Sequence, residues 1–452
     1  MIHSAALLAL LVGTGAMRPP VRDVAIAASG IAADTGTAKC DARQNQRCAE
    51  IERLLRDARV SRALEAITRD TARHTRELVE LTEIAAPPFK EQARALRFAE
   101  MLREAGADST WIDSVGNVVG LRRGRTPGRT VVLEGHLDTV FPEGTDVKVK
   151  VRGDTLAAPG IGDDTRALVL VLATLRAMHE ADIRTDGSVL FVGTVGEEGL
   201  GDLRGVKHLF RKGAPRIDSY IAVEGGEVTV AVEGIGSHRY RLAFKGPGGH
   251  SWGAFGTANP IHALGRAITL FDQRADQLTR RGPRTSYNVG RIGGGTSVNS
   301  VAFEAWSEVD MRSESDSSLH TVDRALHAAA AQALAEQNTI ARRGAKLTLD
   351  LKLIGTRPSG STDRKGQLVQ RSAAVIQHFG GAPEFRSGST NSNIPFSLGV
   401  PAVTIGSGGR QGDAHALTEW WVNHERRAHR AIQQAMVLTL AEAGYGRSIS
   451  SR

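Results

Sequence analysis

The sequence predicts an α/β protein, a mixed and mostly parallel sheet between helices, interrupted by a smaller α+β insertion. Two observations carry this. Four short apolar runs, at 131–133, 189–195, 221–223 and 403–405, are separated by helical stretches. Uninterrupted apolar runs of this length read as strands buried on both faces, and their alternation with helices gives an α/β sheet. The stretch from about 236 to 356 instead reads strand, helix, strand, strand, helix, strand. That is the order of the split βαβ, or ferredoxin-like, arrangement. At 452 residues with ordinary apolar content, the chain exceeds one core and calls for two domains.

The elements follow in chain order. An apolar stretch from Ala5 to Val12 precedes small residues from Gly13 to Ala16. This fits a signal peptide at about 1–28 and falls short of a membrane span. It implies a periplasmic or secreted protein; without such a signal the chain would stay in the cytoplasm. Cys40 and Cys48, the two cysteines, would close a small disulfide loop in an exported protein and be two thiols in a cytosolic one. Residues 50–80 are charged and helical in pattern, and a helix over 82–106 follows the Pro87-Pro88 turn. Another helix spans 166–180, with Leu168, Leu172, Leu175 and His179 on one face. In the insertion, strands are expected at 240–245, 286–292, 301–311 and 347–354, with helices from Pro260 and around 319–336. The main domain therefore comprises 50–235 and 356–446, around an insertion at 236–355. The net charge is +8, but arginine is scattered, without a long basic run interleaved with aromatics. No nucleic-acid partner is expected.

Open α/β sheets bind ligands beyond the carboxyl ends of their strands, and each of the four runs leads to an acid or a histidine there. The first ends at His136 and Asp138 in H-L-D. Histidine can hold a metal while the aspartate accepts its other ring N–H, although a histidine in a polar loop is commoner. Asp163-Asp164 precedes the 166–180 helix. N-capping needs one aspartate, which leaves the other free. Glu197-Glu198 follows the second run between glycines. Adjacent carboxylates repel unless a cation lies near, so a metal ligand beside a general base is a natural use of the pair. Glu224 ends the third run, and His415 lies in G-D-A-H-A-L-T-E-W-W, with Glu419 four residues on. This oxygen-rich mixture with imidazoles suits a two-metal centre better than a thiolate site.

In this order, the stretches GHLDTV, APGIGDD, GTVGEEGLGD, AVEGGE, GPGGHS, GGTSVNSVAFEAWSEVDMR, GSTNSN and GDAHALTEWW resemble the M20 metallopeptidases, which include peptidase T, glutamate carboxypeptidases and aminoacylases. The likeness spans about 75–440. It implies a bridged pair of divalent ions, zinc by preference, with manganese or cobalt as alternatives. His136 and Glu224 would hold one ion, Glu198 and His415 the other, and Asp163 would bridge them. Asp138 would support His136, and Glu197 would be the general base. From the insertion, which serves as lid and dimerisation domain, His250, Asn299 and Arg312 would reach the substrate, with Gly388 and Ser389 lining the site. The implied substrate is a small peptide or an N-acyl amino acid, and the implied assembly a homodimer. One position departs from the pattern: Asn391 stands where the family usually has aspartate, which puts a supporting or substrate contact in doubt.

Two other readings compete. Gly249-His250-Ser251-Trp252-Gly253 matches the G-x-S-x-G elbow of serine hydrolases. However, Gly246-Pro247-Gly248 interrupts the strand before it, and the next helix is delayed to about Pro260. A metal-binding or peptide-binding relative without catalysis rests on Asn391 alone. The glycine runs at 293–295 and 406–409 lack the Lys-Ser/Thr of a phosphate loop.

Overall fold

A computed structural model describes residues 40, 45–226 and 229–446. The expected signal segment, 1–28, lies outside these residues. Among the described residues no helix is long and apolar enough to cross a membrane.

The four apolar runs become the four central strands of a nine-stranded sheet: Ser188–Thr194, Thr130–His136, Ser219–Val223 and Ala402–Ile405, side by side and parallel. Val131, Val132 and Leu133 are fully buried because the sheet is covered on both faces. The flanks are antiparallel, with Val118–Arg122 and Ser109–Ile112 on one side and Thr229–Gly234 on the other. Gly360–Ser361 pairs antiparallel, and Glu384–Gly388 parallel, with that last strand.

The helix Arg166–Glu180 has its expected limits but not its expected single buried face. Every residue from Arg166 to Met178 is buried. The helix packs on the strand Thr130–His136 and is covered by the helices Ala58–Arg69, Thr71–Thr82 and His429–Glu442. The helix expected over 82–106 starts later, at Gln92, because the chain through Pro87-Pro88 is irregular.

A smaller antiparallel sheet joins Arg410–Gly412, Trp420–Val422, Thr155–Ala157 and Lys150–Arg152. It holds the loop before Asp163 beside the loop that carries His415.

The residues from 236 to 357 form an antiparallel sheet of their own, in the order Thr285–Gly294, Glu304–Ser313, Gly236–Lys245, Thr348–Arg357. Helices Pro260–Thr279 and Asp316–Ile340 pack together and against these strands. Burial alternates strictly along Glu304–Ser313, as expected for a sheet covered on one face. The strand expected at 301–311 is broken. Ser300–Val301 pairs instead with Gly249–His250, outside this sheet. Ser237 is paired with Arg357, so the chain enters and leaves the insertion at adjacent positions.

Cys40 and Cys48 are bonded to each other. Cys48 lies in the helix Gln46–Leu55, which a buried ion network ties to two others. Arg371 Nη1 lies 2.6 Å from Glu442 Oε1, with both side chains 1% exposed. Its Nη2 lies 2.7 Å from Glu50 Oε1. Arg371→Leu would remove the cation these two carboxylates share, leaving Glu442 with Arg129 and Glu50 with Arg47, a loss of about 1–3 kcal/mol. A urea unfolding curve should show the midpoint fall accordingly, and an unchanged midpoint would refute a structural role for the network.

Candidate metal centre

The site lies beyond the carboxyl ends of the parallel strands. Strand Thr130–His136 delivers His136, Ser188–Thr194 runs on to Glu197-Glu198, and Ser219–Val223 to Glu224. The Glu224 amide is held by the Ile405 carbonyl at 2.8 Å.

Asp163 stands between two imidazoles. Its Oδ1 is 3.1 Å from His136 Nε2 and its Oδ2 is 3.1 Å from His415 Nε2. His415 Nε2 is also 2.9 Å from Glu198 Oε1. His136, Asp163 and Glu198 offer three donor atoms that lie within 4.8 Å of one another. Hydrogen bonds to the Asp163 and Glu198 carboxylates hold the His415 imidazole up, to about 10. Burial pushes the Glu224 carboxyl well up, helped by the charges of Glu197 and Asp163. Burial likewise raises Glu197, with Arg357 opposing it and Glu198 adding to it.

Asp138 meets His136 through its backbone oxygen, and its carboxylate has further partners. The His136 ring Nδ1 meets the Asp138 carbonyl oxygen at 3.0 Å, while the carboxylate is 3.7 Å away. That carboxylate accepts the Glu197 amide at 3.1 Å and the Glu198 amide at 2.8 Å. The strand ends at His136, so the extended-chain rule that aims residues i and i+2 alike no longer holds at Asp138. Burial pushes its carboxyl up to about 7.

Neither aspartate of the pair caps the 166–180 helix, which has no side-chain cap. Asp164 Oδ2 accepts the His136 amide at 2.9 Å, and its buried Oδ1 has no hydrogen-bond partner. Glu419, noted in the sequence only for its spacing from His415, clamps the loop around Asp163. Its Oε2 accepts the Gly160 amide at 2.9 Å, and its Oε1 accepts those of Gly162 and Asp163 at 2.8 and 2.9 Å.

Arg357 was not singled out in the sequence. It is buried, and its Nη1 donates to Glu197 Oε1 at 2.7 Å and to the Ser389 carbonyl and hydroxyl oxygens at 3.1 and 3.2 Å. Its Nη2 donates to the Glu197 carbonyl. Ser389 thus joins the site through Arg357. The Gly388 carbonyl accepts the Ile235 amide at 2.7 Å. The available signal was an arginine just before Pro358 at the end of an expected strand, since the other strand ends carry the chemistry.

Among the described residues, no hydrogen bond or ion pair joins His250, Asn299 or Arg312 to the cluster. His250 and Asn299 share one exposed ribbon, where Ser251 donates its amide to the Asn299 carbonyl at 2.8 Å. The His250 Nδ1 accepts the Trp252 and Gly253 amides, each at 3.3 Å. Arg312 Nε pairs with Asp310 at 2.8 Å. Ser251 follows a two-residue strand, and no helix begins until Pro260, so the elbow is absent. Among the described residues, no hydrogen bond links its hydroxyl to a histidine.

Asn391 is buried behind the site. Its amide nitrogen donates to Glu134 Oε1 and Thr194 Oγ1, each at 2.8 Å. An aspartate there would set two buried carboxylates face to face. Asn391→Asp should lower stability by about 1–3 kcal/mol, the scale of a buried group left without its partner. Adding Glu134→Gln should recover most of the loss. Urea unfolding of the four-member mutant cycle checks this, and purely additive effects would show that the two positions do not interact.

The model of Peptidase family M20/M25/M40 matches residues 132–436. A putative [LysW]-lysine/[LysW]-ornithine hydrolase of Pyrococcus abyssi is 32% identical over 169 residues, which are 37% of this chain and 42% of that protein. The match therefore spans about two fifths of that relative's length. A succinyl-diaminopimelate desuccinylase of Leptothrix cholodnii is 29% identical over 272 residues, 56% of this chain and 69% of its own. A crystal structure of a tripeptidase from Staphylococcus aureus shares the fold with a TM-score of 0.65 at 20% identity, covering 82% of this chain and 98% of that one. The family match covers well over half of the sequence and falls on the strands and loops that build the centre: the chain belongs to peptidase family M20/M25/M40.

Proposed function

We propose that the protein is a two-metal hydrolase that cleaves an amide bond in a small peptide or an N-acyl amino acid. The observation that carries this is Asp163, with one carboxylate oxygen facing His136 and the other facing His415. A carboxylate so placed can serve two ions, one on the side of His136 and Glu224, the other on the side of Glu198 and His415. The donor set fits such ions. Imidazole and carboxylate ligands suit zinc, with manganese or cobalt as alternatives. The carboxyls of Glu197 and Glu224 are raised by burial and by neighbouring acids, Glu198 for the first and Glu197 for the second, and nearby cations relieve that repulsion. The ions, when bound, supply Lewis acidity and make water acidic enough to react near neutral pH.

The chain's own residues do the rest. Glu197 takes a proton from the attacking water and returns it to the leaving amine nitrogen. Asp138 fixes the Glu197-Glu198 backbone, and Glu419 fixes the Asp163 loop. Arg312 pairs with a substrate carboxylate, and Asn299 and His250 contact the substrate, His250 at the developing oxyanion. Reaching it requires the insertion to act as a lid. Likeness to an aminopeptidase PepT of Bacillus cereus and to the tripeptidase supports the fold that this reading needs.

Chelation should abolish hydrolysis of a panel of di- and tripeptides and N-acyl amino acids, and added Zn²⁺, Mn²⁺ or Co²⁺ should restore it. Glu197→Gln should lower kcat by roughly 100-fold or more with metal still bound, while Ser251→Ala stays active. Full activity in a verified metal-free sample, or the reverse mutant pattern, rejects the proposal.

We also propose a homodimer in which His250 enters the neighbour's site. Its exposed ribbon, with Trp252 and Val298 uncovered, supports a reach away from its own domain. Inactive His250→Ala mixed with inactive Glu197→Gln should regain activity on subunit exchange. Absence of recovery despite proven exchange rules the shared site out.

A further inference from the structure

Arg357 is a cation buried against the acidic end of the sheet that the reaction above leaves unused. It is the last residue of the strand Thr348–Arg357 and pairs with Ser237, so it sits at the root of the insertion. From there its guanidinium grips Glu197 twice, at the carboxylate and at the carbonyl. The ion pair is shielded from water, with side chains 5% and 4% exposed. In such surroundings an arginine fork fixes direction as well as charge. One carboxylate oxygen of Glu197, Oε1, is held by Arg357. The root makes two more contacts with the same loop. Arg239 donates to the Gly199 carbonyl, and the Thr356 amide donates to Asp202 at 2.6 Å. The loop from Glu197 to Asp202 is therefore braced by the insertion's two junction strands, not by the main sheet alone.

We propose that Arg357 is a positioning residue: it holds one oxygen of Glu197 so that the other is aimed at the reacting water, and it anchors this alignment to the root of the insertion. This rests on the reading of Glu197 as the base. A base turned away from its proton loses rate without losing substrate affinity, so the signature is a change in kcat and not in KM.

The test uses the full-length, metal-loaded protein with alanyl-alanine and N-acetyl-alanine as probes. Arg357→Ala should lower kcat roughly 100-fold, the scale of a small misplacement, with KM and metal content unchanged. Added guanidinium should restore part of the rate. Arg357→Lys, which keeps the charge but not the fork, should lie between, and it serves if the alanine variant fails to fold. Amide hydrogen exchange should rise across 197–202 in either variant, with the rest of the protein unchanged. A raised KM at constant kcat would overturn the proposal by making Arg357 a substrate contact. Loss of metal would overturn it by making Arg357 a charge balance for the cluster. Wild-type kcat in both folded variants would overturn it outright. Glu197→Gln is measured alongside. If that variant is active, the reading of the base fails; if it is inactive while Arg357→Ala is unimpaired, only the present inference fails.

Discussion

Several carboxylates crowd together at the ends of four parallel strands, and the rest of the site depends on how their repulsion is managed. A buried charge is tolerated only where donors surround it. The fold assigns donors one acid at a time. Asp138 takes the amides of Glu197 and Glu198, and Glu419 takes those of Gly160, Gly162 and Asp163. Asp164 takes the amide of His136, and Arg357 takes one oxygen of Glu197. What remains directed inward is the set around Asp163: two imidazoles and the carboxylate of Glu198.

Successive backbone amides can converge on one carboxylate where the chain turns tightly, and this explains some of the glycine content. Gly160 has φ +77°, and a Cβ there would lie 2.5 Å from a Thr139 methyl. Gly196, just before Glu197, has φ +69°, and a Cβ there would meet the Arg204 side chain at 2.1 Å. Any larger residue at either place would disturb the loop whose amides hold the acids.

The central sheet was legible because strands buried on both faces leave uninterrupted apolar runs, and the acids and histidines fall just past them. The insertion was legible from the order of its elements. Of the flanking strands, Ser109–Ile112 is partly exposed and Thr229–Gly234 alternates in burial, so neither leaves such a run. The all-round burial of the helix Arg166–Glu180 comes from three helices distant in sequence, which no local period reveals. Asp138 was read by a strand rule where the strand had already ended. Glu134 and Asn391 are 257 residues apart, so their contact is a property of the fold and not of either neighbourhood. Arg357 was hidden for the same reason: its partners Glu197 and Ser389 lie 160 and 32 residues away.

The pairing of Ser237 with Arg357 has a consequence for how the molecule is assembled from parts. Cross-strand partners in an antiparallel pair stand about 5 Å apart. To the main sheet, the whole stretch between them is topologically the loop of a hairpin. A short turn could close the same gap, so a module of this kind can be gained or lost in one genetic event without breaking the layers on either side. Exchanging one such module for another between relatives would then require matching this junction and the contacts of Arg239, Thr356 and Arg357 with the loop at 197–202.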